Sequence, residues 1–187
     1  TELSGQLEIL SWNIQKASNV GWADDLAELS GDINLAFIQE ASVQAAIPDV
    51  FENSLHQAFA AGYATRGQQT GVMTLSSTSP SLDCNFTSWE PWLGTPKATS
   101  VTKFPLAGRS DRLLAINLHA VNFALGLEDF REQFRALDRL LEEHSGPVIL
   151  AGDLNTWSHK RQLLVDEFTS KYGLGPIAFS PDLRSTF

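Results

Sequence analysis

Four apolar runs of strand length constrain this chain more than anything else in it. They are LEILSWNI (Leu7 to Ile14), INLAFIQE (Ile33 to Glu40), RLLAINLH (Arg112 to His119) and PVILAGDLN (Pro147 to Asn155). Both alternate faces of each run carry apolar residues, the pattern of a strand covered on both sides. Helical or looped segments separate the runs, so the order predicts a layered α/β fold with sheets inside.

The connections read in the same way. WADDLAEL sets Trp22, Leu26 and Leu29 at helical spacing, as a short amphipathic helix does. VFENSLHQAFAAG places Val50, Phe51, Leu55 and Phe59 on a helical stripe ended by Gly62, and is expected to be a second helix. LEDFREQFRALDRLLEEHSG is the clearest helix of all. Leu127, Phe130, Phe134, Leu137 and Leu141 line one face, acids begin it, and His144 and Gly146 close it. GVMTLS and ATSVTKF read as further strands. The Ser/Thr/Pro-rich stretch between them, Ser76 to Thr99, holds Trp89, Trp92 and Leu93. Aromatic residues of that size call for packing, so the stretch is expected to be ordered. No internal repeat or low-complexity segment interrupts the pattern.

The ends of the four runs carry chemistry. The first ends near Asn13, the second at Glu40, the third at His119 with Asn122 three residues on, and the fourth at Asp153 and Asn155. By themselves Asp153 and Asn155 read as a turn, because Asx residues commonly terminate strands. The alternative is a cation or phosphate site, since residues i and i+2 of extended chain point the same way. Singly, Asn13, Glu40 and His119 also have plain structural readings as a core amide, a solvated strand end and a structural histidine. Four coincident ends favour a site, since strands tolerate such residues poorly. In layered α/β folds, sites assemble beyond the carboxyl ends of the strands. Oxygen and amide ligands suit Mg²⁺ or Mn²⁺ and not zinc. His119 then serves as a donor to an anionic oxygen or as a proton carrier.

Bulk properties set the limits. With 187 residues the chain is most economically one domain, residues 1–187. The 22 acidic against 13 basic residues give a net charge of −9, which disfavours broad basic-surface binding of nucleic acid. Lys16, Arg66, Lys97, Lys103, Lys160 and Arg161 could gather near the strand ends; scattered surface charges are the safer reading. No apolar run reaches the roughly 18 residues of a membrane-spanning helix. One cysteine, Cys84, excludes an internal disulfide and fits a reducing compartment, so the cytoplasm is the expected location.

Five segments in order, SWNI, FIQE, GVMTLS, NLHAVNF and AGDLNTWS, resemble the endonuclease/exonuclease/phosphatase superfamily, the deoxyribonuclease I-like fold. They span most of the chain, and their wording is most similar to the bacterial YafD-like branch. The resemblance implies a four-layer α/β sandwich, two mixed β-sheets face to face with helices outside. It implies a hydrolase of phosphate esters, acting on nucleic acid, a phospholipid head group or a small phosphoester, through Mg²⁺ or Mn²⁺. Glu40, Asn13 and Asp153 would form the metal site, and Asp153 would position or deprotonate the attacking water. His119 would contact the phosphate, Asn122 would bind it alongside, Asn155 would hold the phosphate or transition state, and Lys97 would add a contact to the anion.

One departure stands out. The superfamily closes with a Ser-Asp-His motif that supplies a catalytic histidine, and no such motif follows DLRSTF; His56, His144 and His159 lie in other contexts. The expectation is that the terminal strands lie outside these residues and that the chain without them has little or no hydrolase activity. The alternative is a non-catalytic binding module on the same fold.

Overall fold

The protein is seen in a computed structural model, which describes residues 2–51, 53, 55–65, 67–90, 95–122 and 126–179. Among the described residues, eight strands form two four-stranded sheets. The first holds β1 (Ile9–Asn13), β2 (Leu35–Ser42), β3 (His56–Thr65) and β4 (Gln68–Ser76) in the order β1-β2-β4-β3. The second holds β5 (Leu82–Trp89), β6 (Pro96–Pro105), β7 (Arg112–His119) and β8 (Val148–Asp153) in chain order. β1 runs parallel to β2, and β7 runs parallel to β8; every other pairing is antiparallel. Both sheets are therefore mixed. Each parallel pair needs a crossover, supplied by α1 (Trp22–Leu29) in the first sheet and α2 (Glu128–Glu142) in the second. α3 (His159–Lys171) follows β8.

Strand alternation builds the layers. On β2, Leu35 and Phe37 join Phe104 of β6 and Leu113 and Ala115 of β7 in the core between the sheets. Ala36 and Ile38 point the other way, to Leu26 of α1. On β7, Leu114, Ile116 and Leu118 meet Phe130, Phe134 and Leu137 of α2 and Phe168 of α3. The order is helix, sheet, sheet, helix pair: the four-layer α/β sandwich expected from the sequence.

Three expectations need correction. The segment expected to be a helix from Val50 to Gly62 is mostly β3, paired with β4 from His56↔Ser76 to Thr65↔Gln68. Its apolar residues Phe51, Leu55 and Phe59 lie four apart, and four is also a multiple of the strand period, so the stripe could not tell the two apart. β1 and β8 are not covered on both faces. Each is an edge strand, and β8 is half-buried along its whole length. Trp89, expected to pack, is 63% exposed, although its stretch is ordered as β5; Trp92 and Leu93 lie outside the described residues. α3 was not legible as an element, though Leu164, Val165 and Phe168 recur at helical spacing and Ser158 accepts from the Arg161 amide as its N-cap.

Candidate active site

The alternation that builds the core also delivers the site. Leu113, Ala115, Asn117 and His119 share one face of β7, and Ile149, Ala151 and Asp153 share the matching face of β8; both faces look at the other sheet. The parallel register sets His119 opposite Asp153. Across the gap, Asn13 closes β1 beside Gln39 of β2. Glu40 should by alternation follow Ile38 toward α1. A β-bulge prevents this: the β2–β4 register breaks between Ile38 and Ala41, and Glu40 takes φ +50°. Bulges re-aim side chains in this way, and Glu40 turns to the same spot as Asp153.

That convergence is measurable. Asn13 Nδ2 donates to Asp153 Oδ2 at 2.9 Å and to Glu40 Oε1 at 3.4 Å. His119 Nε2 lies 4.0 Å from Glu40 Oε1 and 3.9 Å from Asp153 Oδ2. Lys97 Nζ stands 3.2 Å from the same His119 nitrogen, and Lys16 Nζ stands 3.9 Å from Glu40. His119 is 7% exposed. Burial first, then the neighbouring Lys97 ammonium, pushes its pKa below the ordinary imidazole value, against the pull of Asp153, Glu40 and Glu90. The ring is therefore neutral near pH 7, and its tautomer sets whether Nε2 accepts from Lys97 or donates to an anionic oxygen.

Asp153 and Asn155 form a turn and also line the cleft. The Asn155 amide donates to Asp153 Oδ1 at 3.1 Å, an Asx-turn closure, and Asn155 takes φ +48°, which asparagine tolerates. Asn155 Nδ2 donates to Ala120 O at 2.8 Å, tying the loop after β8 to the loop after β7.

A cleft of about 280 Å³ opens over these groups, lined among others by Glu40, Lys97, His119, Asn122, Asp153 and Asn155. Six of the seven residues singled out in the sequence thus share it, and the seventh, Asn13, bridges the Glu40 and Asp153 carboxylates. Of the cations that could gather, Lys16 and Lys97 line the cleft, whereas Lys103, Lys160 and Arg161 do not; Arg66 lies outside the described residues. Arg161 is no surface charge but is 1% exposed.

Sequence reasoning missed Glu90, which is 1% exposed and also lines the cleft. It accepts from the Asn122 amide at 2.8 Å and from the Thr95 hydroxyl, and pairs with Lys97 at 3.8 Å. It sits at the end of β5, in a stretch with no apolar run to mark it. Glu40, Asp153 and Glu90 against Lys16 and Lys97 leave the lining one net negative charge. Two carboxylates converging beside amides are a donor set for a hard cation that keeps several waters or phosphate oxygens, as Mg²⁺ does. Among the described residues no group of three or more His, Cys, Asp or Glu is placed to hold a metal ion.

A two-sheet α/β sandwich with an acidic cleft at the carboxyl ends of β1, β2, β7 and β8 defines the class. The profile of the endonuclease/exonuclease/phosphatase family matches residues 10–182, and the chain belongs to that family. A UPF0294 protein of Vibrio cholerae is 38% identical over 191 residues, a span that takes in 100% of this chain and 66% of that protein. The chain thus spans just under two-thirds of this relative's length. Among solved structures, sphingomyelinase C from Streptomyces griseocarneus superposes with TM-score 0.64 at 19% identity, over 91% of this chain and 70% of that one. A truncated Caenorhabditis elegans TDP2 superposes with TM-score 0.59 at 15% identity, over 83% and 64%. At such identities these two structures speak to the fold.

Proposed function

We propose that the protein is a divalent-metal-dependent hydrolase of phosphate esters that works by in-line attack of water. The observation that carries this reading is the convergence of Glu40 and Asp153 on one point beside His119, in a chain of this family. Glu40 and Asp153, held together by Asn13, bind Mg²⁺ or Mn²⁺. When bound, the cation neutralises charge on the phosphoryl oxygens and offsets the negative lining of the cleft. Asp153 orients the attacking water and accepts its proton. Neutral His119 and the amides of Asn122 and Asn155 contact the phosphoryl oxygens, and Lys97 adds positive charge beside them. The single cysteine, free in this structure, is compatible with a reducing compartment, and the cytoplasm belongs to the same proposal. No described helix is long and apolar enough to cross a membrane.

Relatives named as a sphingomyelinase and as TDP2 argue for a panel spanning phospholipid, nucleic acid and small phosphoesters. The test is hydrolysis of that panel by the protein as encoded in full, with Mg²⁺ or Mn²⁺ and with EDTA, alongside Glu40→Ala. Activity that needs metal and disappears in the variant supports the reading. A panel with no metal-dependent hydrolysis overturns it in favour of a binding module.

A further inference from the structure

Arg161 is a cation where none is expected. It lies in the first turn of α3 and is 1% exposed. Desolvation by burial lowers its pKa, and the Glu90 carboxylate opposes that shift. Among the described residues no carboxylate comes within ion-pair distance of it. Main-chain oxygens satisfy it instead. Nη1 donates to Val121 O at 2.6 Å and to Asn155 O at 3.2 Å, and Nη2 donates to Asn122 O at 2.9 Å. The guanidinium also stacks on two rings, its Cζ lying 4.6 Å from the centroid of Phe130 and 4.7 Å from that of Trp157. Trp157 in turn donates Nε1 to Asn122 Oδ1 at 2.9 Å, which leaves the Asn122 amide hydrogens free to face other groups.

We propose that Arg161 is a positioning residue: one rigid guanidinium clamps the loop after β7 to the loop after β8 and so fixes Asn122 and Asn155 relative to each other. The proposal rests on the phosphoester-hydrolase reading for its activity consequence and on the geometry for the rest. Two features separate it from a plain structural role. Two of the three carbonyls it holds belong to Asn122 and Asn155, the loop residues that line the cleft, while Arg161 itself stays outside the lining. And a site that only needed filling would accept an apolar side chain, since burying a charge is costly unless its hydrogen bonds are met. A planar fork of donors spans carbonyls on two loops in one fixed geometry, which the single nitrogen of an ammonium does not reproduce.

The test uses the full-length protein with Arg161→Ala, Arg161→Lys and, as a stability control, Leu164→Ala, which trims the core under α3 and removes none of the hydrogen bonds of the clamp. The expected result is a fall in kcat of about 10²-fold for Arg161→Ala, with KM changed far less, because misplaced contact groups raise the barrier of a bound substrate. Lysine restores little of it. Guanidinium ion added to Arg161→Ala restores part, and an equal concentration of sodium restores none. Arg161→Ala that loses no more kcat than an equally destabilised Leu164→Ala overturns the proposal. Amide hydrogen exchange on folded Arg161→Lys decides independently of any activity. Lost protection at Asn122 and Asn155, with β7 unchanged, supports the clamp; unchanged protection there overturns it. If the wild type hydrolyses nothing, the hydrolase reading fails and the exchange result still judges Arg161.

Discussion

Gln39 and Asn117 tie the two sheets together immediately behind the site, and breaking that tie should be costly in a diagnostic way. Gln39 is 1% exposed and Asn117 is 0% exposed. Gln39 Nε2 donates to Asn117 Oδ1 at 2.8 Å, and Asn117 Nδ2 donates to Met73 O at 3.0 Å. Asn117→Leu keeps the number and branching of side-chain heavy atoms, so no cavity term enters. It removes both bonds, together with the longer Asn117 Nδ2 contacts to Thr74 Oγ1 at 3.4 Å and Ile38 O at 3.5 Å, and leaves Gln39 Nε2 with Phe37 O alone, at 3.0 Å. Two net hydrogen bonds at about 1 kcal/mol each, with part of the penalty for a donor left short, give about 3 kcal/mol. In a domain of this size that lowers Tm by about 6–12 °C. Replacing both partners removes the stranded donor, so Gln39→Leu added to Asn117→Leu should cost under about 1 kcal/mol more. The assay is urea unfolding of the two singles and the double, with the midpoint shifting at constant m. A single variant costing under about 0.5 kcal/mol, or strictly additive costs in the double, would refute the reasoning.

Three further outcomes are expected. A Cβ on Gly152 would sit 1.9 Å from Leu118 O at φ +142°, so Gly152→Ala should destabilise by about 3 kcal/mol in thermal unfolding and displace Asp153; a neutral result would contradict the close β7–β8 approach. His119 has a pKa depressed in the folded state, so its stabilising contribution is complete above the unfolded value of about 6.5 and falls with pH below it, by up to about 1.4 kcal/mol per pH unit. In EDTA, His119→Gln should therefore show a shallower stability loss between about pH 6.5 and 5 than the wild type, and an unchanged slope would count against a neutral buried ring. The Asp138 carboxyl is held low chiefly by the Tyr172 hydroxyl, with Lys171 also contributing, so its contribution is present above the ordinary carboxylate range and lost as pH falls through its folded value. Tyr172→Phe should flatten stability against pH in that acid range, and parallel acid-unfolding curves would contradict the assignment.

The layered fold and the strand ends that gather at the cleft were legible in the sequence; several individual elements and contacts were not. Strand ends are local, so the residues at Asn13, His119 and Asp153 could be read from where an apolar run stops. Glu40 was legible only by accident. β2 continues to Ser42, and a bulge, invisible in composition, turns the side chain to the cleft. Asn117 and Gln39 escaped notice because their roles exist only across sheets, between residues far apart in the chain, and Glu90 because no apolar run marks its stretch. β3 was misread because its apolar spacing of four serves helix and strand alike, and pairing with β4 decided the matter. Edge position is likewise a property of topology, so the half-burial of β1 and β8 could not be read from apolar runs. Arg161 was assigned to the surface by its charge, and only the carbonyls around it explain its place inside.

The central claim is that Glu40 and Asp153 together hold a divalent cation for hydrolysis. Calorimetric titration of the full-length protein with Mn²⁺, run beside hydrolysis at the same metal concentrations, tests it most directly. The account predicts saturable binding that Mg²⁺ competes for, activity that rises over the same range, and loss of both in Glu40→Ala while the fold persists. Binding and hydrolysis that survive Glu40→Ala unchanged would contradict it.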